Sequence, residues 1–191
     1  MRGLVAASVS VTSWVGALTA VVLWVVAEPI MVLVFGANFA SAGGDFAILV
    51  WSGLFVLASG NARWLLVASK RQTSLLTAQV VSSGVTLAAC LILVPPFGSA
   101  GASASVVAGS LALWLSAHAL TAGLEGRPRL SDALPAAIAC ALLCAGLLIW
   151  KPEPWTGAGV ALTLLALGLL IDRAFFRSLR ILANAREPTA P

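Results

Sequence analysis

The sequence predicts an all-α, polytopic membrane protein with six transmembrane helices and both termini cytoplasmic. Three observations carry that expectation. Charged residues make up only 9% of the 191-residue chain and apolar ones 60%, against about 25% charged in an average soluble domain. The apolar runs are continuous and reach beyond the roughly 20 residues that a helix needs to cross hydrocarbon. A membrane barrel would instead show short segments of alternating polarity. Finally, the basic residues behind the net charge of +4 gather at the ends of the runs. No basic face is interleaved with exposed aromatics, so nucleic acid is not an expected partner.

The first run extends from Leu4 to Phe35. Arg2 before it, and Val25 and Ala27 ahead of Glu28, give the outline of a secretory signal. The stretch is longer than the roughly 7–15 residues of a signal h-region, so it reads as a retained span. Pro29 is expected to kink or end the regular helix, Gly36 to close it, and Gly43-Gly44-Asp45 to form the loop. The second run, Phe46 to Ser69, ends at Lys70-Arg71, and the third is Leu75 to Val94.

Pro95-Pro96-Phe97-Gly98 then separates the third run from the fourth, Gly101 to Ala122. The two prolines are expected to stop the helix, since they lack an N–H and fix φ. Gly98 can take φ > 0 to turn the chain. Gly101, Ser105 and Gly109 recur every fourth residue, which gives the following helix one nearly smooth face. Lipid offers apolar side chains as good an environment as another helix does, so small residues that allow close approach are what packs membrane helices. A tight helical hairpin is the expectation here.

Gly123-Leu124-Glu125-Gly126-Arg127-Pro128-Arg129 is the most loop-like stretch. The fifth run is Ala133 to Trp150, Lys151-Pro152-Glu153-Pro154 is a short connection, and the sixth run is Trp155 to Ile171. The chain thus divides into helices one to four over residues 1–122, a cytoplasmic loop at 123–131, helices five and six over 132–175, and a basic tail at 176–191. With a cytoplasmic start, ten basic residues fall inside and only Lys151 outside, the bias expected of a plasma-membrane protein. Trp150 and Trp155 flank the outer loop at headgroup level.

No catalytic constellation is visible, and an enzyme is not expected. No Gly-rich run ends in Gly-Lys-Ser/Thr, so no phosphate-binding loop is present. Cys140 and Cys144 share a helix face, but no His or carboxylate stands near them in sequence, so they read as small buried side chains rather than metal ligands. No cofactor is implied. The lone His118 has two readings, a helix–helix hydrogen bond or a proton relay. Glu28 and Asp45 mark the outer ends of the first two helices, and Asp172 with Arg173 the inner end of the sixth.

The most informative charge is Arg63. It precedes Lys70 by seven residues, about 10 Å along a helix, and the hydrocarbon half-thickness is about 15 Å. Snorkelling to the interface and lining a hydrated cavity both remain open, with Asn61 nearby as a second polar group. On the third helix Gln72, Gln79, Ser83 and Thr86 fall within about 40° of one direction, with Cys90 on the same line. That stripe is either a hydrogen-bonded helix–helix seam or the wall of a water-filled cavity.

Three segments carry a resemblance. Leu33-Val34-Phe35-Gly36-Ala37-Asn38-Phe39-Ala40-Ser41-Ala42 resembles the "LFG-x-x-[FY]-x-x-A" signature of polysaccharide flippases. Leu65-Leu66-Val67-Ala68-Ser69-Lys70-Arg71 resembles their "LLA-x-G-[KR]" helix end, and Leu93-Val94-Pro95-Pro96-Phe97-Gly98-Ser99-Ala100-Gly101-Ala102 their "LIP-x-[FY]-G-x-x-GAA". Together they cover Leu18 to Leu120. The resemblance implies the C-terminal part of an O-antigen or oligosaccharide flippase, related to lipid II flippases and to multidrug and toxin extrusion transporters. Such proteins translocate polyprenyl-diphosphate-linked saccharide by alternating access between two helical lobes.

The resemblance further implies a cationic cavity, for which Arg63 is the candidate, with Asn61, Gln79, Ser83 and Thr86 as possible lining. Two departures stand out. Many relatives carry asparagines near the positions of Thr86 and Cys90, and the start of this chain matches the ninth helix of a 14-helix member. The implied partners are membrane lipid, a lipid-linked saccharide, and either the missing N-terminal lobe or a second copy of the chain. The resemblance thus implies that the chain is a truncated product, a half needing a partner, or a homodimer. Two other expectations compete: a non-transporting scaffold of a glycan-assembly complex, and a cation-coupled drug exporter. The latter would want an intramembrane carboxylate, and the acidic residues here all lie near helix ends.

Overall fold

The computed structural model describes residues 2–125, 127–150 and 153–171, with the side chains of 2–4, 130, 150 and 167–171 left aside. The expectations for Lys151, the Trp150 side chain, Asp172, Arg173 and the tail at 176–191 lie outside the described residues. Everything described is helix or connection, with no strand among the described residues. Six α-helices follow one another: α1 Arg2–Val25, α2 Ala27–Phe35, α3 Ala42–Ala68, α4 Gln72–Leu120, α5 Leu134–Trp150 and α6 Pro154–Ile171. Short 3₁₀ turns sit at Ala37–Phe39 and Leu130–Asp132. By length and composition α1, α3 and α4 can each cross a membrane, whereas the apolar parts of α5 and α6 are shorter.

The first apolar run is two helices rather than one. The break falls at Val26 (φ −97°, ψ 16°), three residues ahead of the proline expected to cause it. The physics is local. Pro29 has no N–H to give to the carbonyl four residues back, and its ring crowds that carbonyl. The ladder therefore fails at Val25–Val26, and Pro29 itself sits comfortably in the first turn of α2. Glu28 occupies the same turn, where a carboxylate complements the helix dipole.

A second correction concerns Gly43-Gly44-Asp45, which is the first turn of α3 and not a loop. Gly43 is buried because α2 runs against it. A Cβ there would lie 2.7 Å from the Glu28 Cα. The glycine permits a backbone contact that no side chain would allow.

At the other end α3 closes on a left-handed residue. Lys70 has φ 57°, its N–H donates to the Val67 carbonyl at 3.0 Å, and the Arg71 N–H reaches the Leu66 carbonyl at 2.9 Å. This pair of bonds is the Schellman arrangement, with lysine where glycine is usual. It reverses the chain within three residues and lays α4 along α3.

The helix α4 is a hairpin of two arms, residues 72–97 and 99–120. The prolines do not stop the first arm, a third correction: Pro95 and Pro96 lie inside it, and the only non-helical residue is Gly98 (φ 57°, ψ −128°). Proline's φ is itself helical, and near the end of an arm the missing N–H groups forgo only two bonds. Gly98 takes the dihedrals of the first central residue of a type II′ turn, which glycine adopts without strain.

The bundle is organised about α1. It packs on α3 and on α5 and α6, and α4 packs on α3. The larger core joins Trp14, Ala17 and Val21 of α1 to Ala136, Cys140 and Leu147 of α5 and to Ala161 and Leu165 of α6. A smaller core joins Ala62 of α3 to Ala78, Leu113 and Ala117 of the two arms of α4. Two aromatic pairs tie α3 to its neighbours from one face, four residues apart: Trp24 of α1 with Trp51 at 6.4 Å between ring centroids, and Trp114 of α4 with Phe55 at 6.1 Å. Large apolar side chains remain exposed over much of the remaining surface, with Leu33 at 80% and Ile149 at 85%. Such a surface suits lipid and would drive association in water.

Candidate functional site

The candidate residues lie on α3 and the two arms of α4: a packed seam within α4, Asn61 bonded across to α1, and Arg63, whose Nε is buried without a hydrogen bond among the described residues. The seam is built by the small residues of the second arm. Gly101, Ser105 and Gly109 are buried because the first arm folds directly onto them. A Cβ at Gly101 would collide with the carbonyl of Leu93, and one at Gly109 with the Thr86 hydroxyl. The Ser105 hydroxyl donates back to the Gly101 carbonyl at 2.7 Å, which satisfies it within its own helix. Across the seam, Ser82 Oγ donates to the Gly109 carbonyl at 2.8 Å. Ser82 was not among the residues that sequence reasoning selected. Its position one turn before Thr86 was the available signal, since both then face the same small-residue stripe.

The polar stripe of the first arm divides accordingly. Thr86 belongs to the seam: its hydroxyl donates to the Ser82 carbonyl at 2.9 Å and lies against Gly109. Ser83 is exposed and Gln79 half-buried, so these two remain open to a ligand or to a further helix.

On α3 the two polar candidates part company. Ser8 Oγ of α1 donates to Asn61 Oδ1 at 2.6 Å, which commits Asn61 to the α1–α3 seam. Arg63 is two residues on, about 200° around the helix, and so leaves on the opposite side. It follows Ala62, which is buried against both arms of α4, and shares its side of α3 with the buried Ser59 one turn earlier. The Ser59 hydroxyl is satisfied by the Val56 carbonyl at 2.7 Å. Arg63 differs. Its Nε is buried and makes no hydrogen bond among the described residues.

An unsatisfied guanidinium nitrogen in this setting is costly. A carboxylate, a phosphate or water would each relieve it, and the planar fork of arginine fits the first two best. No group of three or more His, Cys, Asp or Glu side chains that could hold a metal occurs among the described residues. Comparison with protein-family models, with curated proteins and with solved structures finds no match to this chain.

Proposed function

We propose that the chain is a membrane transport protein that moves polyprenyl-diphosphate-linked oligosaccharide across the plasma membrane. In this reading α1, α3, both arms of α4, α5 and α6 each cross the bilayer, six spans with both termini cytoplasmic, and the chain acts as one lobe of a two-lobed translocator. The observation that carries the reading is Arg63: a guanidinium whose Nε is buried with no hydrogen bond among the described residues, in a helix long and apolar enough to span. A permanent cation held at that depth is costly unless function retains it. A diphosphate supplies two negative charges and oxygen acceptors arranged for bidentate pairing.

Mechanistically, Arg63 receives the diphosphate from the cytoplasmic leaflet, and Gln79 and Ser83 on the adjacent arm offer neutral hydrogen bonds to the first sugar. The polyprenyl tail stays in lipid throughout. A second lobe, from another polypeptide segment or a second copy, rocks against this one to expose the headgroup on the far side. No cofactor and no covalent chemistry take part.

The test is headgroup translocation by the complete transporter in proteoliposomes. Arg63→Gln is expected to lower the rate at least about tenfold, the loss of one charge-assisted pair of roughly 1.5–3 kcal/mol. Arg63→Lys, which keeps the charge and loses the fork, is expected to fall between the two. Wild-type rates in Arg63→Gln, with normal saccharide export in cells, would remove the basis of the proposal.

A further inference from the structure

A second feature lies away from Arg63. Between α1, α3, the second arm of α4 and α5 there is a cleft of about 310 Å³, walled by Ala17, Ala58, Trp114, Leu134, Ala137 and Cys140 among others, with Ser13 the one hydroxyl side chain on its surface. We propose that this cleft holds one acyl chain of a bilayer glycerophospholipid, as an integral part of the folded protein. The inference rests on the membrane embedding of the helices and not on transport.

Four observations point to that occupant. The wall is almost wholly apolar, so water gains little there: apolar cavities of this kind stay dry and take hydrocarbon. Protein interiors leave few voids larger than a water molecule, and a gap of this size between four helices forfeits dispersion contacts on every side. The volume fits one chain: a dry cavity of about 150 Å³ accepts benzene, so 310 Å³ accommodates roughly a dozen carbons.

The direction of the cleft selects a lipid tail rather than a compact ligand. Its α5 wall begins at Ala133 and Leu134, where the chain leaves the 121–133 connection, and reaches Cys140, about 9 Å deeper at 1.5 Å per residue. One leaflet is about 15 Å deep, so the cleft follows an acyl chain from the interface towards the midplane. Of the lining residues, Leu134 is 51% exposed, and Ala137 is exposed as well. The cleft is therefore continuous with the apolar surface that faces the surrounding lipid.

The alanines are what make the space. Ala17, Ala58 and Ala137 stand on three different helices, and a larger side chain at any of them would fill the cleft from its own side. The experiment uses the full chain, extracted from native membranes in a mild detergent and washed extensively. Bound lipid is then identified and counted by mass spectrometry of the intact complex. The wild type is expected to keep about one glycerophospholipid per chain through the wash, as steric enclosure on several sides slows its release. Ala137→Phe and Ala58→Phe, filling the cleft from α5 and from α3, are each expected to lose roughly tenfold of the retained lipid by occupying its volume. Leu142→Phe, on an exposed part of α5, is expected to retain it.

Loss of lipid from the wild type during the wash would overturn the proposal. So would full retention by both filled variants, or retention of a prenyl lipid in place of a glycerophospholipid. Should neither filled variant fold, a phospholipid spin-labelled at mid-chain decides the matter on the wild type. About one strongly immobilised lipid per chain, beyond the fast-exchanging boundary population, supports the site, and its absence overturns it. Failure of saccharide translocation leaves these outcomes untouched, so the two proposals fall separately.

Discussion

The seam within α4 makes a quantitative prediction, because the obstacle to a methyl group differs between two of its glycines. At Gly109 the new Cβ would meet the Thr86 hydroxyl, with Thr86 Cβ at 3.1 Å and the Ser82 carbonyl at 3.2 Å. Thr86 is stiff at χ1 and tied to the Ser82 carbonyl at 2.9 Å, so it clears the methyl only by giving up that bond. Moving the arms apart instead stretches the Ser82–Gly109 bond of 2.8 Å. Overpacking costs about 1–3 kcal/mol, and an interhelical hydrogen bond in a bilayer averages about 0.6 kcal/mol. Gly109→Ala is therefore expected to destabilise by about 1.6–3.6 kcal/mol.

At Gly101 the obstacle is backbone, with the Leu93 carbonyl carbon at 2.6 Å and Val94 N at 3.0 Å, and no rotamer relieves it. Gly84, with nothing within 4 Å of its Cβ position, is the control. Gly84→Ala is expected to be neutral or stabilising by up to about 1 kcal/mol. The assay is SDS-induced unfolding of the purified protein in mixed micelles, followed by helicity. Thr86→Ala is expected to recover at least half of the Gly109→Ala loss and none of the Gly101→Ala loss. If Gly109→Ala and Gly84→Ala unfold alike, or Thr86→Ala rescues both glycine variants equally, the steric account of the seam is wrong.

Two further outcomes follow from single contacts. A double-mutant cycle of Ser8→Ala with Asn61→Ala, read by the same unfolding assay, is expected to give a coupling of about 0.6 kcal/mol and at most about 1.7 kcal/mol, since the 2.6 Å bond between them joins α1 to α3. Additive losses would show that the bond contributes nothing in the membrane mimetic. Lys70→Gly is expected to stabilise by about 1 kcal/mol, because Lys70 holds φ 57° in a region that costs residues with a Cβ about 1–2 kcal/mol. A lower unfolding midpoint for that variant would mean that the lysine side chain contributes more than its backbone strain costs.

What the sequence made legible, and what it did not, follows from how far each interaction reaches. The all-helical class was legible because hydrophobic continuity and the scarcity of charge act residue by residue. The positions of α5 and α6 were legible within a residue or two, since a loop rich in Gly, Pro and Arg and a Pro-flanked connection bound them. The folding back of the α4 arms was legible for a similar reason. A small residue at every fourth position describes one face of one helix, and the partner that packs there is the arm just before it in the chain. The boundaries that misled were those set at a distance. Pro29 acts four residues upstream through the carbonyl it cannot satisfy, so the break is at Val26. Pro95 and Pro96 suit the φ of the arm they were expected to end, and only Gly98 leaves it. Gly43 resembles a loop residue until α2 is seen lying against it, since the demand for a missing Cβ comes from Glu28. The site candidates show the same limit. Asn61 and Arg63 are close in sequence and both polar, yet two residues of helix turn them to opposite sides. One is then claimed by Ser8 of a helix more than fifty residues away, and the other is left with a buried nitrogen that makes no hydrogen bond among the described residues. A periodic pattern identifies which residues share a face, but which neighbour claims that face is decided by packing between helices that a one-dimensional pattern does not contain. The buried Nε of Arg63 becomes informative only once those neighbours are in place, because a nitrogen with no hydrogen bond among the described residues is defined by the groups around it that fail to pair.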